Sequence, residues 1–135
     1  MVNVPGAAGT IGLGQLYEMR GREDIMMATG GVMVGGVILN ETQVTLEDVT
    51  LIAKVAEDYN VLVVPGDSPY DTLEEFVDAY RENPTGMAMA GGSLGGIDHL
   101  LAGMLAREAG VDPKLVNYIV YSGGGEVVSS LLSHT

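Results

Sequence analysis

The chain has 135 residues, 47% of them hydrophobic and 5% aromatic, with 20 glycines, no cysteine and no tryptophan. Eighteen acidic against six basic residues give a formal charge of −12, which argues against nucleic-acid recognition and polybasic membrane contact, since both need clustered Lys and Arg. The lack of cysteine excludes disulfides, thiolate catalysis and cysteine zinc sites, and leaves an aliphatic, methionine-filled core for one domain or two small lobes.

In chain order, Val2–Thr10 reads as the tail of a strand entering a glycine-rich turn, and Ile11–Arg20 as a helix. Ile25–Thr29 is a brief apolar run that fits a buried parallel strand, ending in Thr29-Gly30-Gly31. Val32–Leu39 fits helix or strand, because Gly35-Gly36 weakens both. Thr45–Asp48 has the pattern of a capped turn. Thr50–Ala56 and Asn60–Pro65 lean to strand, and Pro65–Pro69 breaks the chain. Asp71–Glu82 predicts the clearest helix. Asp71 or Thr72 caps it, Leu73, Phe76, Val77 and Tyr80 form its buried stripe, and Asn83-Pro84 stops it.

A short apolar segment, Met87–Ala90, then runs into the glycine-rich loop Gly91–Gly96 and a helix whose predicted stripe is Leu100, Leu101, Met104 and Leu105. Gly110 is placed to cap that helix. Leu115–Tyr121 reads as a strand, Ser122–Gly125 as a loop, and Glu126–Ser133 as a further helix. Alternating strands and helices predict an α/β fold with parallel strands. In such folds ligands gather beyond the carboxyl ends of the strands. Four loops take that kind of position: Pro5–Thr10, Thr29–Gly31, Gly91–Gly96 and Ser122–Gly125. Uncovered backbone N–H groups followed by helix N-termini suit an anion.

The familiar catalytic signatures fail in turn. Gly9-Thr-Ile-Gly-Leu-Gly14 lacks the dinucleotide spacing, and no glycine loop leads into Lys-Ser or Lys-Thr. Ser93 and Ser122 form no nucleophile elbow. His99 follows Asp98, but a histidine one turn into a helix beside Leu100 and Leu101 is more often a packing residue than a base. Two isolated histidines make no transition-metal site. Pairs such as Glu57-Asp58 and Glu74-Glu75 read as solvated faces. Arg20, Arg81 and Arg107 fall near predicted helix C-termini, where they answer the dipole. An anionic ligand would therefore be held by backbone N–H groups, hydroxyls and helix N-termini, with no arginine clamp.

Asn3-x-Pro-Gly-Ala-Ala-Gly-Thr-Ile-Gly12 resembles the Asn-x-Pro-Gly-Ala-Gly-Gly segment of the tripartite tricarboxylate transporter substrate-binding receptors. Thr29-Gly30, Asn60-Val-Leu-Val-Val64, Ser68-Pro-x-x-Thr-Leu-Glu-Glu-Phe76, the Gly91–Leu100 loop and Val120-Tyr-Ser-Gly-Gly124 follow in the same order. The resemblance covers essentially the whole chain.

It implies a type II periplasmic-binding-protein-like fold: two lobes of mostly parallel sheet flanked by helices, incomplete at both ends. Residues 1–57 would be part of lobe one and 58–135 most of lobe two, with a hinge near 58–61. Gly6, Ala7, Ala8, Gly9, Thr29, Gly30 and Gly31 would line the first lobe's side of a cleft. Ser93, Gly95, Gly96, Tyr121, Ser122 and Gly123 would line the second. The family commonly has Thr at Gly96, Ser at Asp98 and Lys at Ser122, and Asp98 fits a carboxylate cleft least well.

The implied function is non-catalytic, cofactor-free capture of a small mono-, di- or tricarboxylate in the periplasm or at the cell surface, for delivery to membrane permease subunits. The chain opens on Val2-Asn-Val-Pro-Gly6 with no leader peptide, and the family's first strand and its returning strands would lie outside it. Open sheet edges would then favour a homodimer. A small α/β hydrolase-like enzyme using Ser93 and His99, and a pure interaction module, are the other two readings.

Overall fold

Residues 1–133 are described by the structure, a computed structural model. They divide into two compact units, Met1–Tyr59 with Ser93–Ile97, and Asn60–Gly92 with the chain from Asp98 onward.

The first unit is built on two helices, Thr10–Glu18 (α1) and Val32–Leu39 (α2). Leu13 of α1 and Met33 of α2 are fully buried. The glycine pair that left α2 ambiguous in the sequence is explained by close approach. A Cβ on Gly36 would fall 2.7 Å from the Ala8 Cβ, and one on Gly35 would run into the Gly95 carbonyl. Both positions trade helix propensity for contact with neighbouring chain. Thr45 caps a short turn, Leu46–Asp48, through a reciprocal capping box with Asp48.

Several expected strands do not form. Ile25–Thr29, Thr50–Ala56 and Asn60–Pro65 take no regular structure, and Met26, Leu51, Ile52, Val55 and Val61 are exposed. β-branched residues raise strand propensity, but a strand exists only where a neighbour accepts its backbone hydrogen bonds. Among the described residues the sheet has two strands, both in the second unit.

Those strands are Ala88–Gly91 (β1) and Asn117–Val120 (β2), parallel, with Ala88 opposite Asn117 and Gly91 opposite Val120. The Tyr121 N–H extends the ladder to the Gly91 carbonyl at 2.8 Å. The helix Leu73–Glu82 (α3) precedes β1, and Ile97–Glu108 (α4) makes the crossover a parallel pair requires. The described chain closes with Gly124–Ser133 (α5). Thr72, not Asp71, caps α3 by accepting from the Glu75 N–H at 3.2 Å.

The buried face of α4 differs from the expected stripe. Leu100, Leu101 and Met104 are exposed, whereas Leu105 packs half-buried against a core that Ala102, Ala106 and, just past the helix, Ala109 enter with Phe76, Tyr80 and Met89. Both sets have helical spacing; small side chains let the α4 backbone approach the aromatic rings of α3. Leu73 is likewise exposed, so Phe76 and Tyr80 carry the buried face of α3. At the end of α4, Gly110 (φ +78°) forms a Schellman cap, with its own N–H on Arg107 O and that of Val111 on Ala106 O.

Candidate functional site

The Gly6–Gly9 turn is conformationally unusual. Gly6, Ala7, Ala8 and Gly9 all have positive φ, at 109°, 47°, 55° and 90°. For the two alanines this costs about 1 kcal/mol each. The conformation is held from outside. The Asn40 amide donates to Ala7 O at 3.3 Å and Gly36 O at 2.8 Å, Thr10 Oγ1 donates to Ala7 O at 2.8 Å, and Met33 packs against Gly9. The turn spends donors of its own internally: the Gly9 N–H goes to the Gly6 carbonyl at 2.9 Å and the Thr10 N–H to the Ala7 carbonyl. The family segment carries glycine where this chain has Ala8. Ala8→Gly is therefore expected to stabilise the first unit by about 1 kcal/mol, measured as a higher urea midpoint with unchanged slope.

Two helix N-termini open beside this turn. Gly9 is the N-cap residue of α1 and Gly31 that of α2, and neither helix has a side-chain cap. By contrast Thr72 caps α3, and ahead of α5 the Glu126 carboxylate accepts from the Ser122 N–H at 2.9 Å. The uncapped starts coincide with Gly6–Gly9 and Thr29–Gly31, the two loops expected to line the first side of a cleft.

The resemblance puts Ser93, Gly95 and Gly96 with the second lobe, whereas in the structure Ser93–Ile97 clusters with the first unit. The absence of a side chain at Gly35 lets the Gly95 carbonyl lie on α2, and Gly96 faces Val32 closely. Gly6, Ala7, Ala8, Gly9, Thr29, Gly30, Gly31, Ser93, Gly95 and Gly96 thus share the first unit, while Tyr121, Ser122 and Gly123 belong to the second, past the carboxyl end of β2.

Several donors that a bare glycine loop would offer are already committed. The Gly92 N–H goes to Asp98 Oδ2 at 2.8 Å, the Gly96 N–H to Ser93 O at 2.9 Å, and the Ser122 N–H to Glu126. Glu126 was not singled out in the sequence, although a glutamate three residues past Gly123 has capping-box spacing. Asp98, the residue least consistent with a carboxylate cleft, is a structural acceptor for the loop's own backbone. Its neighbour Tyr118 donates to the Gly92 carbonyl at 2.9 Å. Burial, reinforced by the Asp98 charge, pushes the Tyr118 hydroxyl up to about 12, so it remains a donor at neutral pH. The His99 ring packs on Tyr118 with centroids 4.6 Å apart, consistent with a packing role.

The arginines and Lys54 have partners within the chain, and the Arg81 Nε–H reaches the Ala109 carbonyl at 2.8 Å. Arg22 pairs with Asp24, Lys54 with Glu57, Arg81 with Asp78 and Arg107 with Glu108, and Arg20 reaches the Tyr17 carbonyl and ring. Among the described residues no helix is long and apolar enough to cross a membrane.

The sequence matches the tripartite tricarboxylate transporter family receptor over residues 1–135. It is 35% identical over 74 residues to the UPF0065 protein in tcbD-tcbE intergenic region of Pseudomonas sp. (strain P51). That match covers 55% of this chain and 21% of the relative, about a fifth of its length. No solved structure matches. The family match spans every residue, and the left-handed turn, uncapped helix starts and parallel strand ends fall on the segments that carry the resemblance: the chain belongs to the tripartite tricarboxylate transporter receptor family.

Proposed function

We propose that this chain forms part of the ligand cleft of an extracytoplasmic solute-binding receptor, which captures a small mono-, di- or tricarboxylate for the membrane subunits of a tripartite transporter. The observation that carries this reading is the pair of helix N-termini without side-chain caps in the first unit, beside a turn of four positive-φ residues. A helix start carries a partial positive charge, and with no side-chain cap at either one a carboxylate can answer it without a cationic side chain. The local field decides the interaction, so the overall charge of −12 does not forbid it. On this reading the two compact units are the two lobes, Tyr121, Ser122 and Gly123 serve the ligand from the second, and binding closes them about residues 58–61.

Calorimetric titration of the full-length protein with citrate, succinate, glutamate and acetate tests the reading. Saturable binding of at least one carboxylate is expected. Failure to bind any of them, together with turnover of an ester or amide that Ser93→Ala abolishes, would sink it in favour of a hydrolase.

A further inference from the structure

The chain passes between the two compact units at three places: Tyr59–Asn60, Gly92–Ser93 and Ile97–Asp98. The second-unit residue at each passage, Asn60, Gly92 and Asp98, belongs to one hydrogen-bonded group. Asp98 Oδ2 accepts from the Gly92 N–H at 2.8 Å, and Asp98 Oδ1 accepts from the Asn60 amide at 3.0 Å. Asn60 lies 38 residues from Asp98, so no local regularity brings them together.

Gly92 is gripped from its other side as well. Tyr118 donates to its carbonyl, and the Tyr118 ring lies against His99, the residue after Asp98. Gly91 leaves no room for a side chain, since a Cβ there would fall 2.6 Å from the Asp98 Cβ. Both polar backbone groups of Gly92 are therefore fixed by side chains at the point where the chain leaves the second unit.

We propose that Asp98 is a positioning residue whose carboxylate gathers the three inter-unit passages into one anchor, so that the Ser93–Ile97 loop leaves and re-enters the second unit at a fixed point. A carboxylate suits this task because each of its oxygens accepts from a different donor. An amide in its place keeps one acceptor and turns a donor toward the other partner. The anchor stands on the geometry alone; its use in ligand capture rests on the receptor reading.

Amide hydrogen exchange of the ligand-free chain, followed by NMR, tests the anchor in Asp98→Ala, Asn60→Ala and the double variant. Asp98→Ala is expected to speed exchange at Gly92 about tenfold or more, as losing a charged acceptor does, and to speed the 93–97 amides with it. Asn60→Ala alone should speed Gly92 less, and should add nothing in the Asp98→Ala background. Gly92 exchange within about twofold of wild type in Asp98→Ala, or additive effects of the two substitutions, would overturn the anchor. If Asp98→Ala does not fold, Asn60→Ala and Asp98→Asn carry the test, with the same coupling to Gly92 required of both. No ligand enters these measurements. An intact anchor with no carboxylate bound and Ser93-dependent turnover sinks the receptor reading alone, and binding without the coupling sinks the anchor alone.

Discussion

Tyr80→Ala is expected to lower the unfolding free energy of the second unit by about 3–5 kcal/mol, the range for truncating a large buried side chain. Tyr80 is completely buried, stacked on Phe76 at 6.3 Å between ring centroids, and enclosed by the alanine face of α4. Few other side chains of that size fill this core. The other buried members of the cluster are Phe76, Met89 and three alanines, which cannot expand into the space left behind. Its hydroxyl behaves differently from its ring. That oxygen is buried without a hydrogen-bond partner among the described residues, and burial raises its pKa. Tyr80→Phe should therefore hold stability level or raise it by about 1 kcal/mol, because the desolvation of an unpaired group is removed with it. Urea unfolding followed by circular dichroism separates the two. A Tyr80→Phe loss as large as that of Tyr80→Ala would show that the hydroxyl has a partner and that the ring is not the main contributor.

Gly35→Ala should destabilise the first unit by about 3 kcal/mol, the upper range for forcing an extra methyl into filled space. The sign runs against propensity, since glycine to alanine inside a helix ordinarily gains about 1 kcal/mol. The obstacle decides it: the new Cβ meets the Gly95 carbonyl, which is backbone and cannot swing aside as a side-chain end could. Gly14 in α1 provides the control. A Cβ there has nothing within 4 Å, so Gly14→Ala should gain up to about 1 kcal/mol. Hydrogen exchange adds a local reading, with the 93–97 amides losing protection in Gly35→Ala and keeping it in Gly14→Ala. A Gly35→Ala protein more stable than wild type would mean that the loop does not lie on α2.

Helix ends follow from local chemistry, and they could be read early. Thr72 and the Asn83-Pro84 stop bound α3, Gly110 caps α4, and the Thr45–Asp48 box forms as its side chains dictate. Each depends on groups within a few residues. The segment beginning at Asn3 and the ordered glycine loops likewise identified the family, because order and spacing are properties of the chain itself. Strand formation at 25–29, 50–56 and 60–65 depended on partners that sequence cannot supply, and the alternation there overstated the sheet.

By itself the sequence determined the mixed helix and strand class, the helix stops, the family, and the places where glycine would matter. The tertiary structure decided which glycines serve contact and which serve turns, why mainly alanines bury α4, and which loop donors the chain itself claims. Packing distances set the first two. The third follows from acceptors a few residues along claiming backbone groups, as Asp98 claims the Gly92 N–H and Glu126 that of Ser122, in orientations that only the folded loops fix. The Asn60–Asp98 pairing spans 38 residues, which composition, periodicity and spacing do not encode.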